Sequence, residues 1–304
     1  MLAKLLRRLY LFQMLTGALL GTFAGLNWLQ TSGSKALLFG AFCAVLLPLL
    51  LQFGMIAYTM IKSRPANANA LWWYAFWGEF LAALQIYWLQ LPWARQKSSF
   101  IPAHTVAPVE PGLPVLLVHG YVCNHRVWDK MGQALQQAGH PVLAIDLEPL
   151  FTSIDDYANL IEQAVQELLA KTGASQVQLL GHSMGGLAIR AWLRVHGSAR
   201  VTQVITLGTP HQGTQIASMA ITPNVAQMAW HSAWLHDLQA QETPAVRSLM
   251  HLALTHHDNI VYEQRAQRLE GATVTEFEGL GHLQLCLDPG VIDWVVQQLG
   301  QAHD

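Results

Sequence analysis

The decapeptide Val177-Gln-Leu-Leu-Gly-His-Ser-Met-Gly-Gly186 carries a serine at the centre of a G-x-S-x-G pattern, between an apolar run and the helical stretch Leu187–Val195. A hydroxyl held on a tight strand-to-helix turn is presented in strained backbone at the strand end, which suits nucleophilic attack on a carbonyl carbon. Gly181 and Gly185 take away side chains that such a turn would crowd. The helix that follows directs the positive end of its dipole at developing negative charge. The bare pentapeptide also fits a glycine-rich turn without chemistry; its place between a buried strand and a helix gives Ser183 its weight.

A serine nucleophile needs a base, and the base needs an orienting acid. With 14 histidines in the chain, histidine content decides nothing. Glu278-Gly-Leu-Gly-His282 follows the last predicted strand, where a loop carries an imidazole back over Ser183, so His282 is the candidate base. His119, His182 and His211 also stand near strand ends and are read as holding loops by hydrogen bonds. Asp258, in Thr255-His-His-Asp-Asn-Ile-Val261 after the preceding strand, completes the chain order Ser, Asp, His. Asp146, at an earlier strand end, and Asp237 are the weaker candidates for the acid. The cluster His256-His257-Asp258 has no spaced partner that would make it a metal site, so neither metal nor cofactor is expected. An oxyanion needs two backbone donors. The amide of Met184 follows the nucleophile, and the amide of Tyr121 follows the turn of Val115-Leu-Leu-Val-His-Gly-Tyr121, where Gly120 lets the chain close.

These groups are useful only if strand ends bring them together. The strand candidates are Val115–His119, Val142–Asp146, Val177–Gly181, Val201–Leu207, Val246–Leu254 and Thr273–Phe277. Between them Ile154, Tyr157, Ile161, Val165 and Leu168 share one helical face, with Ser153 and Asp156 as an N-terminal cap. Strands alternating with helices predict a mainly parallel sheet covered on both faces. Residues 94–112, with Pro102, Pro108 and Pro111, are predicted to be a linker before a catalytic domain at 113–304. Residues 214–245 hold Met219, Met228, Trp230, Trp234 and Leu235 and are read as a lid or acyl-pocket wall, an ordinary crossover being the alternative.

The set His119-Gly120-Tyr121, Gly181-His-Ser-Met-Gly-Gly186, Leu207-Gly-Thr-Pro-His-Gln-Gly213, Asp258 and Gly281-His282 resembles the bacterial true-lipase group of α/β-hydrolases over about residues 113–300. The resemblance implies an α/β-hydrolase fold with about six strands, a catalytic triad of Ser183, Asp258 and His282, and an oxyanion hole from Tyr121 and Met184. It further implies an apolar acyl pocket and an acyl-ester or lipid-like substrate cleaved through an acyl-enzyme. An acyltransferase or thioesterase would use the same residues with another acceptor or leaving group. An inactive, membrane-tethered binding module would have no need of all five positions.

Soluble secreted lipases lack what precedes residue 94 here. Leu9–Gln30 and Ala36–Ile61 contain no charged residue, only Lys35 lies between them, and each run is long enough to cross about 30 Å of hydrocarbon. A signal peptide is the competing reading of the first run, but no cleavage site follows and a second run comes at once. Residues 71–93 are harder to read. Glu79, Gln85 and Gln90 oppose insertion, whereas Trp72, Trp73 and Trp77 at one end and Trp88 and Trp93 at the other suggest two interfacial belts. A third span is favoured over a helix lying flat, so residues 1–93 are expected to form an anchor of two or three transmembrane helices. Lys4, Arg7, Arg8, Lys62 and Arg64 place the N-terminus and the 62–70 loop in the cytoplasm. With three spans the catalytic domain would lie on the non-cytoplasmic side of a bacterial inner membrane; with two it would stay cytoplasmic. The repeat Gly17, Gly21, Gly25 offers a close-approach face for the chain's own second helix or for a homodimer.

Net charge is −2, which gives no footprint for nucleic acid. Three cysteines cannot make a disulfide framework; Cys43 lies in an apolar run, and Cys123 and Cys286 are read as small buried residues, with a Cys123–Cys286 bridge conceivable in an oxidising compartment.

Overall fold

The computed structural model describes residues 1–65, 69–104, 112–219 and 221–300, with backbone alone at 218 and 219. Pro108 and Pro111 of the expected linker, and the Met219 side chain, lie outside the described residues. The two charge-poor runs form helices α1 (Leu2–Asn27) and α2 (Gly33–Lys62), both long and apolar enough to cross a membrane. They pair as a hairpin. Gly17, Gly21 and Gly25 all face α2: a Cβ at Gly21 would lie 2.6 Å from the Cys43 side chain, and one at Gly25 2.9 Å from the Ala36 backbone. The glycine stripe is therefore packed against the chain's own second helix.

Residues 71–93, weighed from sequence as a third span, do not form one long α-helix. Helix α3 (Ala70–Leu84) runs into a π-helical turn, Gln85–Gln90, and a 3₁₀ turn, Leu91–Trp93. Both ends of this segment lie on one side of the hairpin. The Arg7 guanidinium, near the start of α1, donates to the Pro92 carbonyl at 2.6 Å, and the Arg64 guanidinium, just after α2, lies over the Trp72 ring at 4.9 Å. A spanning helix would separate those ends by the bilayer thickness. Glu79 is fully buried against the rest of the protein, while Trp73, Tyr74 and Trp77 remain exposed. The segment thus keeps an aromatic face outside and docks its polar residue inside.

The sheet has seven strands in the order β1-β3-β2-β4-β5-β6-β7. They are β1 (Ser98–Ile101), β2 (Val115–Val118), β3 (Val142–Ile145), β4 (Val177–His182), β5 (Val201–Leu207), β6 (Met250–Thr255) and β7 (Thr273–Phe277). All neighbouring pairs are parallel except β1, which runs antiparallel along the β3 edge. Strand β1 lies within the stretch expected to be a linker. It is only four half-buried residues long, too short for an alternation to show. The expected strand Val246–Leu254 begins late, because Thr243 caps a helical turn that Pro244 opens, and the strand starts only at Met250.

The period of two sorts each central strand between two cores. Val115 and Leu117 of β2 pack on one face with Met131 and Leu135 of helix α4 (Asp129–Gln137). Leu116 and Val118 pack on the other, with Ile161 and Val165 of α5 (Tyr157–Thr172) and Leu187 of α6 (Met184–His196). The Ser153 hydroxyl caps the 3₁₀ turn that opens α5 through the Asp155 amide. The first core does not stop at the sheet. It continues through Leu283, Leu285 and Val295 to Trp72 and Phe76 of α3 and to Leu2, Leu6, Ile56 and Met60 of the hairpin. Cys123 and Cys286 are free thiols, both buried, and do not form the bridge considered from sequence.

Candidate active site

Ser183 occupies the junction of β4 and α6 with φ 55° and ψ −127°, a left-handed conformation that costs a non-glycine residue of order 1–3 kcal/mol. The surrounding glycines are required by contact. A Cβ at Gly181 would lie 2.7 Å from the Gly186 amide nitrogen, and one at Gly120 would lie 2.8 Å from the Ser183 Cβ. A Cβ at Gly185 would run into the carbonyls of Val118, at the end of β2, and of His119 just after it. The pentapeptide therefore reflects an elbow pressed against the end of β2, and Gly120 brings the following turn directly against the serine.

Asp258 and His282 come together from the loops after β6 and β7. His282 Nδ1 donates to Asp258 Oδ2 at 2.8 Å, and the other carboxylate oxygen accepts from the amides of Ile260 at 2.8 Å and Val261 at 2.7 Å. Both side chains are almost wholly buried. Burial pulls the His282 imidazole down, but the Asp258 charge and hydrogen bond, joined by the Glu79 charge, outweigh it and leave its pKa raised above 6.5. His182, beside the serine, donates to the His282 carbonyl at 3.1 Å, with ring centroids 4.5 Å apart. Among the described residues no hydrogen bond joins the Ser183 hydroxyl to His282, an ordinary state for such sites without substrate.

The other sequence candidates have separate work. His119 donates from Nδ1 to the Gly120 carbonyl at 2.8 Å and accepts the Leu147 amide at 2.9 Å on Nε2, so it braces the turn before Tyr121. Burial lowers its pKa and keeps it neutral. His211 lies between Thr206, at 3.0 Å, and Arg190, at 3.3 Å. Asp146 accepts from the amide and the ring of His125, both at 2.7 Å, and Asp237 is exposed. His256 pairs with Glu276 at 2.8 Å, and the described residues contain no group of metal-binding side chains. Met184 begins α6, where first-turn amides have no acceptor within the helix, and Tyr121 follows Gly120 on the turn after β2.

Residues 214–245 fold as a 3₁₀ turn, Gln215–Met219, followed by α7 (Pro223–Gln227) and α8 (Ala233–Ala240). The segment is tied down over α6. Arg190, fully buried, makes a bidentate pair with Glu242 at 2.5 and 3.0 Å, and Asn224 donates to the Leu150 carbonyl at 2.8 Å and lies 3.7 Å from the Met184 sulfur. Phe151, Ile216 and Ile221 are exposed apolar side chains nearby in this region.

Sequence reasoning missed two groups. Glu79 entered it only as an obstacle to membrane insertion, yet its carboxylate accepts the Leu283 amide at 2.8 and 3.1 Å and the Gln284 amide at 3.2 Å. Burial pushes its carboxyl up to about 7, against the pull of His282 and of those amides. Asn259 was passed over beside Asp258; its Oδ1 accepts the His282 amide at 3.2 Å while its Nδ2 donates to Thr59. A carboxylate in an apolar helix was the only available signal.

A family model described as the alpha/beta hydrolase fold matches residues 114–258. The triacylglycerol lipase of Pseudarthrobacter phenanthrenivorans is 36% identical over 113 residues, which are 34% of this chain and 35% of that protein. That of Burkholderia plantarii is 36% identical over 113 residues, 34% of this chain and 31% of the relative. The match thus spans about a third of the length of these relatives. Among solved structures, the mature Bacillus licheniformis lipase superposes with a TM-score of 0.58 at 20% identity, covering 66% of this chain and 97% of that one. Aspergillus fumigatus lipase B gives 0.53 at 18% identity, over 65% and 55% of the two chains. The fold is that of an α/β-hydrolase, with two apolar helices placed before it.

Proposed function

We propose that this chain, an α/β-hydrolase-fold protein similar in its core to bacterial triacylglycerol lipases, is a membrane-anchored serine hydrolase of carboxylic esters with acyl or lipid-like substrates. One observation carries the reading: a strained serine elbow, whose His182 bonds the His282 carbonyl, adjoins a buried, hydrogen-bonded Asp258–His282 pair. Ser183 Oγ attacks the ester carbonyl as His282 Nε2 takes its proton. Asp258 keeps the Nδ1 proton in place and stabilises the imidazolium that forms. The Met184 and Tyr121 amides receive the oxyanion. Collapse of the tetrahedral intermediate releases the alcohol with the proton from His282, and water, activated by the same base, then frees the acid from the acyl-enzyme. Residues 214–245 supply the wall of the acyl pocket.

The exposed apolar flanks of α1 and α2, including Leu11, Phe12, Leu19, Leu38 and Phe42, are the surface that lipid would cover. Lys4, Arg7, Arg8, Lys62 and Arg64 cluster at the end of the hairpin that meets the catalytic fold. The positive-inside rule then assigns that fold to the cytoplasmic face, in place of the opposite side expected for three spans.

The test is covalent labelling of the full chain in membranes with a fluorophosphonate probe, followed by hydrolysis of an ester series of increasing chain length. Labelling should vanish in Ser183→Ala; labelling that persists in that variant would place the nucleophile elsewhere.

A further inference from the structure

We propose that Glu79, contributed by α3 from outside the hydrolase core, is a positioning residue for His282. Its carboxylate holds the loop of the base from behind and sets a second negative charge beside the imidazole. The inference rests on the triad reading above and adds to it a part that the core motifs do not contain.

The geometry is specific. Glu79 has no exposed surface, and both its oxygens face the backbone immediately after the base, taking the Leu283 and Gln284 amides. A Cβ at Gly281, the residue before the base, would lie 2.5 Å from Glu79 Oε2, so glycine there lets the carboxylate come up against the loop. A second tether from the same N-terminal region reaches the other flank. Thr59 of α2 accepts from Asn259, which in turn accepts the His282 amide. The base is thus held on one side by Asp258 and on the other by groups belonging to the anchor.

Placement of the charge has a chemical consequence. An imidazolium forms as Ser183 attacks, and a negative charge near it lowers that barrier. The titratable groups that interact electrostatically with Glu79 are His282, Asp258, Tyr87 and Cys286; those that do so with His282 are Asp258, Glu79 and His182. His182 is kept neutral by burial, with the His282 charge adding to the effect, so the two carboxylates are the only negative partners of the base in this set. With Glu79 titrating at about 7, full activity requires loss of two protons, one from Glu79 and one from His282.

The experiment follows the fluorophosphonate labelling rate of the full chain in lipid vesicles between pH 5 and 9, for wild type and Glu79→Gln. The amide keeps an oxygen for the Leu283 and Gln284 N–H groups, so charge is the main change. Wild type should show an acidic limb of two coupled ionisations. Glu79→Gln should show a single ionisation with its midpoint about one pH unit lower, since one neighbouring charge is gone, and a plateau reduced at least about tenfold. Glu79→Asp, which keeps the charge, should restore the two-ionisation limb. A folded Glu79→Gln with the wild-type midpoint and plateau overturns the inference. So does a wild-type limb that fits one ionisation, a result that needs no variant to fold. Wild type that takes no label at any pH sinks the hydrolase reading instead.

Discussion

Replacing Asp258 by Asn tests the orienting acid with almost no change of shape, and the structure dictates how the amide must sit. One carboxylate oxygen accepts from His282 Nδ1 at 2.8 Å; the other accepts two backbone amides, at 2.8 and 2.7 Å. Turning the new NH₂ toward Ile260 and Val261 would set one donor against two and leave two buried amides unpaired, at about 1–3 kcal/mol each. Turning it toward His282 costs less, because the ring can shift its proton to Nε2 and accept at Nδ1. That tautomer has no lone pair left for the Ser183 proton. The loss should be roughly 10⁴-fold in turnover, about 5.4 kcal/mol of barrier, as for the equivalent change in serine proteases. Short-chain p-nitrophenyl ester hydrolysis measures it, with the thermal midpoint as a check that the backbone bonds of the loop persist. Asp146→Asn should keep most of the turnover, since Asp146 faces His125 and not the base. A folded Asp258→Asn enzyme within tenfold of wild type would refute the assignment.

Two further outcomes are expected. Arg190→Ala removes one half of a buried bidentate pair that ties 214–245 to α6, which should cost about 3–5 kcal/mol; a thermal midpoint unchanged from wild type would show the pair to be expendable. A fluorescent protein that matures only in the cytoplasm, fused after Asp304, should be bright and an alkaline-phosphatase fusion inactive; the reverse pattern would put the catalytic fold across the membrane.

What could be read in the sequence was whatever a short window contains. The Ser183 elbow is specified by residues 177–186, and the Asp258–His282 pairing follows once the strand order is seen, because each residue sits in the loop after a recognisable strand. Strand β1 was missed because four residues borrow their order from β3 and show no pattern of their own. The start of β6 was misplaced because Val246 is apolar in a turn that Thr243 and Pro244 make helical. Residues 71–93 misled for a more general reason. Hydropathy registers exclusion from water and does not say whether lipid or protein does the excluding, and the partner of Glu79 lies 204 residues away. The tryptophans there divide accordingly, Trp72 buried in the core and Trp73 and Trp77 outside it.

The shared core bears on how the protein can be handled. A chain cut to begin at residue 94 would uncover the patch where Trp72, Phe76, Leu2, Leu6, Ile56 and Met60 meet Leu283, Leu285 and Val295. It would also strip the Leu283 and Gln284 amides of their acceptor and Asn259 of Thr59. Such an excised fragment carries every motif residue and still lacks the underside of its own base loop, so it should aggregate or label slowly. Under the proposed membrane anchoring, detergents that unseat the hairpin act on the same contacts, and solubilisation then becomes a perturbation of the hydrolase fold itself.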